Sequence, residues 1–151
     1  MTVERQNLSE YLNGTRLIVL ATTNGDEAPG LRVLGGFGVE GNTVFFSTAP
    51  GSEKATQLKQ NENVSVLFQH ENQEQASFAN VTLKGKAKIL EEKEEVEQAI
   101  EFIGRRNPRF KERVQSGGFA NNVIFRVEAQ EIKILDFGRG YGPGNPEIIQ
   151  L

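Results

Sequence analysis

Gly30-Leu-Arg-Val-Leu-Gly-Gly-Phe-Gly-Val-Glu-Gly-Asn-Thr-Val-Phe-Phe-Ser-Thr48 holds two apolar, β-branched runs around glycine breaks, and its reading decides the fold. The first run predicts a strand over about 28–37, interrupted by glycines. Gly41-Asn42 predicts a turn and Thr43–Thr48 the next strand. The letters Gly36-Phe-Gly-Val-Glu-Gly41 match the dinucleotide fingerprint. That mechanism needs a helix N-terminus after the glycines, and here a strand follows, so the glycines read as a bulged, twisted strand end and a tight turn. Upstream, Arg16–Thr23 reads as a buried strand and Asn24-Gly25-Asp26 as a hairpin turn. Two hairpins within fifty residues favour antiparallel β-structure.

Further out, Leu8, Tyr11 and Leu12 predict an amphipathic helix over 3–13, stopped by Asn13-Gly14. Ser52 is placed to cap a helix over Glu53–Gln60 with Ala55 and Leu58 inward. Strands are expected at 64–68 and 78–90, the second alternating Val81, Leu83, Ala87 and Ile89 with polar residues. Val96, Ala99, Ile100 and Ile103 then switch to helical period, and the acidic run at 91–97 suits that helix's start. Asn107-Pro108 opens a second short helix with Phe110 and Val114 inward, ended by Gly117-Gly118. Two last strands are expected at 119–129 and 131–137, followed by an irregular Gly/Pro-rich tail over 138–146. The expectation is one mainly β domain over 1–151: an antiparallel barrel of about seven strands with three or four short helices at its rim.

Composition narrows the chemistry. With 37% hydrophobic and 25% charged residues the chain has a globular balance, and no apolar run is long enough to cross a bilayer. Cysteine is absent, which removes disulfides, thiolate nucleophiles and thiolate metal sites. One histidine, His70, leaves no His-rich metal centre, and no metal ligands are assigned. It reads as an ordinary surface histidine rather than a general base or haem ligand. A net charge of -3 gives no electrostatic case for nucleic acid. The polar N-terminus lacks the pattern of a signal or transit peptide, so a cytoplasmic protein is expected, and the four Asn-x-Ser/Thr sites at Asn7, Asn13, Asn63 and Asn80 read as chance matches. Chemistry, if any, would come from a bound cofactor.

Arg32 stands in an otherwise apolar and glycine-rich strand, where an arginine is costly without a partner. Ser47 and Thr48 end the next strand; six residues beyond Thr48, Lys54 lies in the first turn of a helix opened by Gly51-Ser52. Hydroxyls, a lysine and a helix N-terminus form an anion site, and Arg32 could clamp the same anion. In the alternative reading Arg32 pairs with a carboxylate, Ser52 only caps and Lys54 is solvated.

These segments, with Asn61-Glu-Asn-Val-Ser-Val-Leu-Phe68 and Asn80-Val-Thr-Leu-Lys-Gly85, resemble the pyridoxamine 5'-phosphate oxidase-like FMN-binding split-barrel family. That family has an Arg-x-Val-Leu strand, a strand ending Phe-x-Thr, and Ser-Arg-Lys opening a helix. The resemblance implies FMN, with Arg32 and Lys54 on its phosphate, Thr48 and Ser47 helping, and Ser52 capping the helix beside it. It also implies Val33 and Leu34 along the flavin through backbone groups, and Asn80 at the isoalloxazine ring. It implies a homodimer with flavin sites at the interface. Glu53 replaces the family's arginine, and Phe37 falls where the oxidases carry a lysine. There is no tryptophan, and no histidine in the tail, to match the oxidases' C-terminal grip on substrate. The resemblance therefore implies an FMN-dependent oxidoreductase acting on an unidentified small molecule, not a true pyridoxamine 5'-phosphate oxidase. The segment 138–144 is expected to act as a mobile arm near the flavin. Because no side chain is an obvious acid–base catalyst, a non-catalytic flavin- or haem-binding stress or sensor module, or a deazaflavin-dependent reductase, stays open.

Overall fold

The computed structural model describes residues 3–23, 28–118 and 122–151, and the backbone alone of Lys54. The expected turn at 24–26 and the start of the strand placed at 119 lie outside the described residues. The strands are β1 (Ile18–Thr22), β2 (Gly30–Leu34), β3 (Phe37–Glu40), β4 (Thr43–Thr48), β5 (Asn63–Phe68), β6 (Ala79–Ile89), β7 (Val123–Asp136) and β8 (Glu147–Gln150). The helices are α1 (Leu8–Asn13), α2 (Glu53–Gln60), α3 (Lys93–Arg106) and α4 (Pro108–Gln115). Every pairing is antiparallel; the order is β2-β1-β5-β6-β7-β4-β3, with β8 added to β7. The result is a split barrel, mainly β with short helices. No described helix is long and apolar enough to cross a membrane.

The sheet curls because β7 changes partners along one edge. Residues 123–127 pair with β4 and residues 131–134 with β8, while along the other edge residues 125–136 follow β6. The register slips at Lys84/Gly85, where Gln130 is the extra residue. A Cβ on Gly85 would lie 2.0 Å from the Glu128 carbonyl oxygen, so this bulge requires glycine. Two features of the sequence reading are corrected here. The two strands expected around position 130 are one continuous strand with a bulge. The alternation of β6 holds past the bulge as far as Ala87 and fails at the strand end, where Ile89 is exposed and Leu90 is buried.

Phe37, Phe46, Phe68 and Phe125 fill the barrel with Leu20, Val66, Leu83, Ile132 and Ile134. A second cluster of Phe45, Leu90, Ala99, Ile103 and Ile124 lies under α3 and α4. β4 serves both, Phe46 inside the barrel and Phe45 under α3, which explains its unbroken apolar run. The fingerprint glycines are structural. Gly41 takes φ 59° in the expected turn. Gly38 lets α3 lie on β3, since a Cβ there would sit 2.5 Å from the Ile103 nitrogen. Close helix packing, not a bulge, is its reason.

The chain ends are sewn together. Asp136 is buried and accepts from the Val3 N–H at 2.8 Å. Asp136 and Tyr141 exchange backbone hydrogen bonds, and Arg139 holds the Val3 carbonyl and Glu147. The tail expected to be an irregular arm is thus pinned, and its last residues form β8. The expected N-terminal helix begins as a 3-10 turn over Arg5–Asn7 and becomes α-helical at Leu8.

Tyr11 anchors α1: its hydroxyl donates to the Ala79 carbonyl at 2.9 Å. His70, expected at the surface, is half-buried and stacked on Tyr11 with ring centroids 3.7 Å apart. Its Nε2 lies 2.9 Å from the Tyr11 carbonyl, so that nitrogen carries the proton. Burial pushes the Tyr11 pKa above its ordinary 10.0, against the opposing pull of the His70 N–H, which favours the phenolate. The native state therefore favours the neutral phenol. Its contribution to stability is complete below pH 10.0 and is lost as pH rises through the folded pKa. Denaturant melts of wild type against Tyr11→Phe are expected to show an extra loss in the wild type above pH 10, at most about 1.4 kcal/mol per pH unit. Parallel pH profiles would contradict this.

Candidate functional site

The site lies where α2 crosses the barrel end between β4 and β5. Proline and glycine at positions 50 and 51, the latter at φ 74°, turn the chain out of β4. Ser52 then caps α2, accepting from the Ala55 N–H at 3.1 Å. Its oxygen lies 2.9 Å from the Thr48 hydroxyl, so these two residues share the helix start. The N–H groups of Glu53 and Lys54 occupy the first turn, where a helix has no acceptor of its own for them.

Arg32 reaches the same helix further along. Its Nη2 donates to the Gln57 side-chain oxygen at 2.9 Å and to the Thr22 hydroxyl at 3.0 Å. The Thr22 hydroxyl donates to the same oxygen at 2.5 Å, and the Gln57 amide nitrogen donates to Glu53 at 3.1 Å. Only one set of donors is consistent. Arginine can only donate, so the threonine hydroxyl must accept from it and donate its own hydrogen bond to Gln57 Oε1, and the Gln57 nitrogen then faces Glu53. Gly30 makes room, because a Cβ there would lie 2.5 Å from Arg32 Nη2. The alternative reading gave Arg32 a carboxylate; the structure gives it an amide and a hydroxyl. Arg32 Nε is buried without an acceptor among the described residues. An unfilled donor costs free energy unless a ligand meets it. Thr48, Ser52 and the first turn of α2 form a start suited to an anion, Arg32 meets the same helix further along, at Gln57, and the Lys54 side chain lies outside what the structure describes.

β2 is an edge strand, so one row of its backbone groups is open. Arg32 and Leu34 face inward, whereas Leu31 and Val33 project outward, 71% and 61% exposed. Asn80 stands near the far end of β6 and donates weakly to Gln69 at 3.4 Å. Ser47 does not join Thr48. It faces the opposite side of β4 and accepts from Asn122 at 3.0 Å.

This combination of curled sheet, edge arginine strand and capped crossing helix has a match: a family profile described as pyridoxamine 5'-phosphate oxidase covers residues 5–136. The chain belongs to the pyridoxamine 5'-phosphate oxidase-like split-barrel family. Solved split barrels share the fold. A conserved hypothetical protein from Mycobacterium tuberculosis is 22% identical, with 91% of this chain and 87% of that one covered and a TM-score of 0.76. A heme binding protein from Mycobacterium smegmatis is 16% identical at TM-score 0.77, with 99% of this chain covering 59% of that one. A FAD-binding protein from Mesorhizobium loti is 19% identical, with 89% and 95% covered and a TM-score of 0.68. A search of curated proteins finds no match.

For a member of this split-barrel family, the sequence reading missed Gln57 and Thr22, the two residues that hold Arg32. The available signal was the cost of the arginine itself, which requires an acceptor on whatever covers it. Gln57→Leu would leave Thr22 and Arg32 without their shared acceptor. It is expected to destabilise the fold by about 1–3 kcal/mol in urea denaturation. A loss below about 0.5 kcal/mol would mean the network contributes nothing.

Proposed function

We propose that this protein is an FMN-binding flavoprotein, an oxidoreductase acting on a small molecule, and that it works as a homodimer. The observation that carries the reading is the Arg32 guanidinium, fixed on an open-edged strand with a buried Nε that lacks an acceptor. In this reading Arg32, Lys54, Thr48 and Ser52 hold the phosphate, and the open edge of β2 at Val33 and Leu34 offers backbone groups to the flavin. Bound FMN would supply electron or hydride transfer. The protein's part is to bind, to orient and to exclude water. Glu53, which stands where the family has arginine, holds Gln57 in the orientation that fixes Arg32. The FAD-binding relative supports a flavin. A haem held by His70 is less well supported, since Nε2 already meets the Tyr11 carbonyl.

A true pyridoxamine 5'-phosphate oxidase is not favoured. Arg139, the one arginine of the tail segment, is committed to Val3, Glu147 and Glu4 and is not positioned for a substrate phosphate.

Titration of FMN and riboflavin separates phosphate recognition from other losses. Arg32→Ala and Lys54→Ala are each expected to weaken FMN about 10- to 150-fold and to leave riboflavin unchanged. Equal weakening of both ligands would overturn the phosphate assignment.

The dimer reading rests on an apolar outer face. Leu31 and Val33 stand beside the half-buried Val19, Ala21 and Leu67, and Ile148 at the other side of the sheet is 41% exposed. A second copy would cover Leu31 and Val33. Leu31→Glu with Val33→Glu is expected to give a monomer in sedimentation velocity; an unchanged oligomer would place the interface elsewhere.

A further inference from the structure

The half-buried cations of this chain have partners, with one exception among the described residues. Arg32 holds Gln57 and Thr22, and Lys86 pairs with Glu62. Arg106 donates to the Asn13 and Thr15 carbonyls. Arg126 pairs with Glu95 and Glu128, and Arg139 with Glu4 and Glu147. The exception is Lys133, whose ammonium has neither an ion pair nor a hydrogen bond among the described residues. The nearest acid along its own strand is Glu131, two residues earlier on the same face. That carboxylate is taken by the Gln150 amide at 3.0 Å and by Lys84 at 3.9 Å. A cation drawn partly out of water without a counter-charge costs free energy that an anion would recover.

Strand alternation puts Lys133 on the outer face of the sheet, since Ile132 and Ile134 on either side of it are buried. Thr82 of β6 stands directly opposite it, and so does Ile148 of β8 on the other side. The Thr82 hydroxyl makes no hydrogen bond among the described residues. The rest of the surroundings are apolar. Leu135 is next on the same face, Ile148 is 41% exposed, and two residues beyond Leu135 comes Phe137, 38% exposed with its ring 6.0 Å from that of Phe78. The ammonium and the Phe137 ring are thus separated by four residues, about 13 Å along an extended chain. β7 also lies four strand spacings from β2, about 19 Å, so the cluster is well away from Leu31 and Val33.

We propose that this cluster binds a small arylalkanoate, with its carboxylate on the Lys133 ammonium and the Thr82 hydroxyl and its ring over Leu135 toward Phe137, beside Ile148. The charge-assisted contact supplies the missing counter-ion, and the hydroxyl gives the second carboxylate oxygen a donor. The aromatic and branched side chains match a flat apolar body joined to the head by a short linker. One ammonium with Glu131 close by suits a single negative charge, because a dianion would bring its second charge toward that carboxylate. The site uses no residue of the flavin reading and does not depend on it.

The test uses 3-phenylpropionate as the probe, with neutral 3-phenylpropanamide and the bare anion acetate as controls. Each is titrated at constant ionic strength into protein with and without FMN, followed by the amide shifts of Thr82, Lys133 and Leu135. Phenylpropionate is expected to bind with shifts centred on those residues, and both controls about tenfold more weakly. Lys133→Gln should weaken phenylpropionate roughly tenfold with unchanged thermal unfolding, while Lys133→Arg keeps the affinity within about threefold. No binding, shifts elsewhere, equal binding of the neutral amide, or an unaffected Lys133→Gln variant would overturn the proposal. Acetate binding as well as the probe would mean an adventitious ion only and would overturn it too. If FMN binds and displaces phenylpropionate, this face belongs to the flavin, so the proposal falls and the flavin reading stands. If phenylpropionate binds through Lys133 and FMN does not bind at all, the flavin reading falls and the carboxylate site stands.

Discussion

The fold depends on the pairing of β6 with β7 across the bulge at Gly85. Eleven residues of β6 are registered against β7, and the slip between Lys84 and Gly85 bends both strands at one place. A flat sheet would leave the β4 and β8 segments on one straight edge. The bend lets β4 and β3 roll toward β2, which encloses Phe37, Phe46, Phe68 and Phe125 in one interior. A side chain at position 85 would strike the Glu128 carbonyl, so the curvature rests on the absence of a single Cβ.

The candidate site follows from that curvature. Once the barrel is curled, the chain leaving β4 must cross its end to reach β5, and α2 is the crossing. One helix thus presents its capped N-terminus beside Thr48 and, one turn later, an amide to Arg32. The polar network of Thr22, Arg32 and Gln57 is buried under α2 at the barrel end, while the interior stays apolar. The two regions use β2 differently: Arg32 is held from inside, and Leu31 and Val33 present apolar surface to the outside.

Much of this was legible in the residues. α2 has the expected bounds because Ser52 is a strong cap and Asn61 breaks the helical run. The antiparallel barrel follows from the succession of hairpins and strands, and its split-barrel class from the family resemblance carried by the arginine strand and the Ser52 helix start. The misses have definable causes. Ala129-Gln130-Glu131 looks like a polar break, but a bulge opposite a glycine keeps a strand going through such residues. β8 is only four residues long and follows a Gly/Pro segment, so its two isoleucines carry too short a signal. Ser47 and Thr48 are adjacent in sequence, and strand alternation sends them to opposite faces. Gln57 was overlooked because glutamine in a short helix reads as solvated, and only the cost of the arginine opposite it marks the position.

The hydrogen bond between Val3 and Asp136 spans 133 positions, and it bears on how the chain is made. On a ribosome Val3 emerges long before the carboxylate that receives it is synthesised. β1 and β5 can already pair by then, but Val3 and Glu4 are left without partners, because Arg139 also arrives late. This closure therefore waits until β7 has been made. Contacts of this sequence separation slow folding. They also make this closure a check that β7 is present, since a nascent chain stopped before it lacks the acceptor that holds Val3.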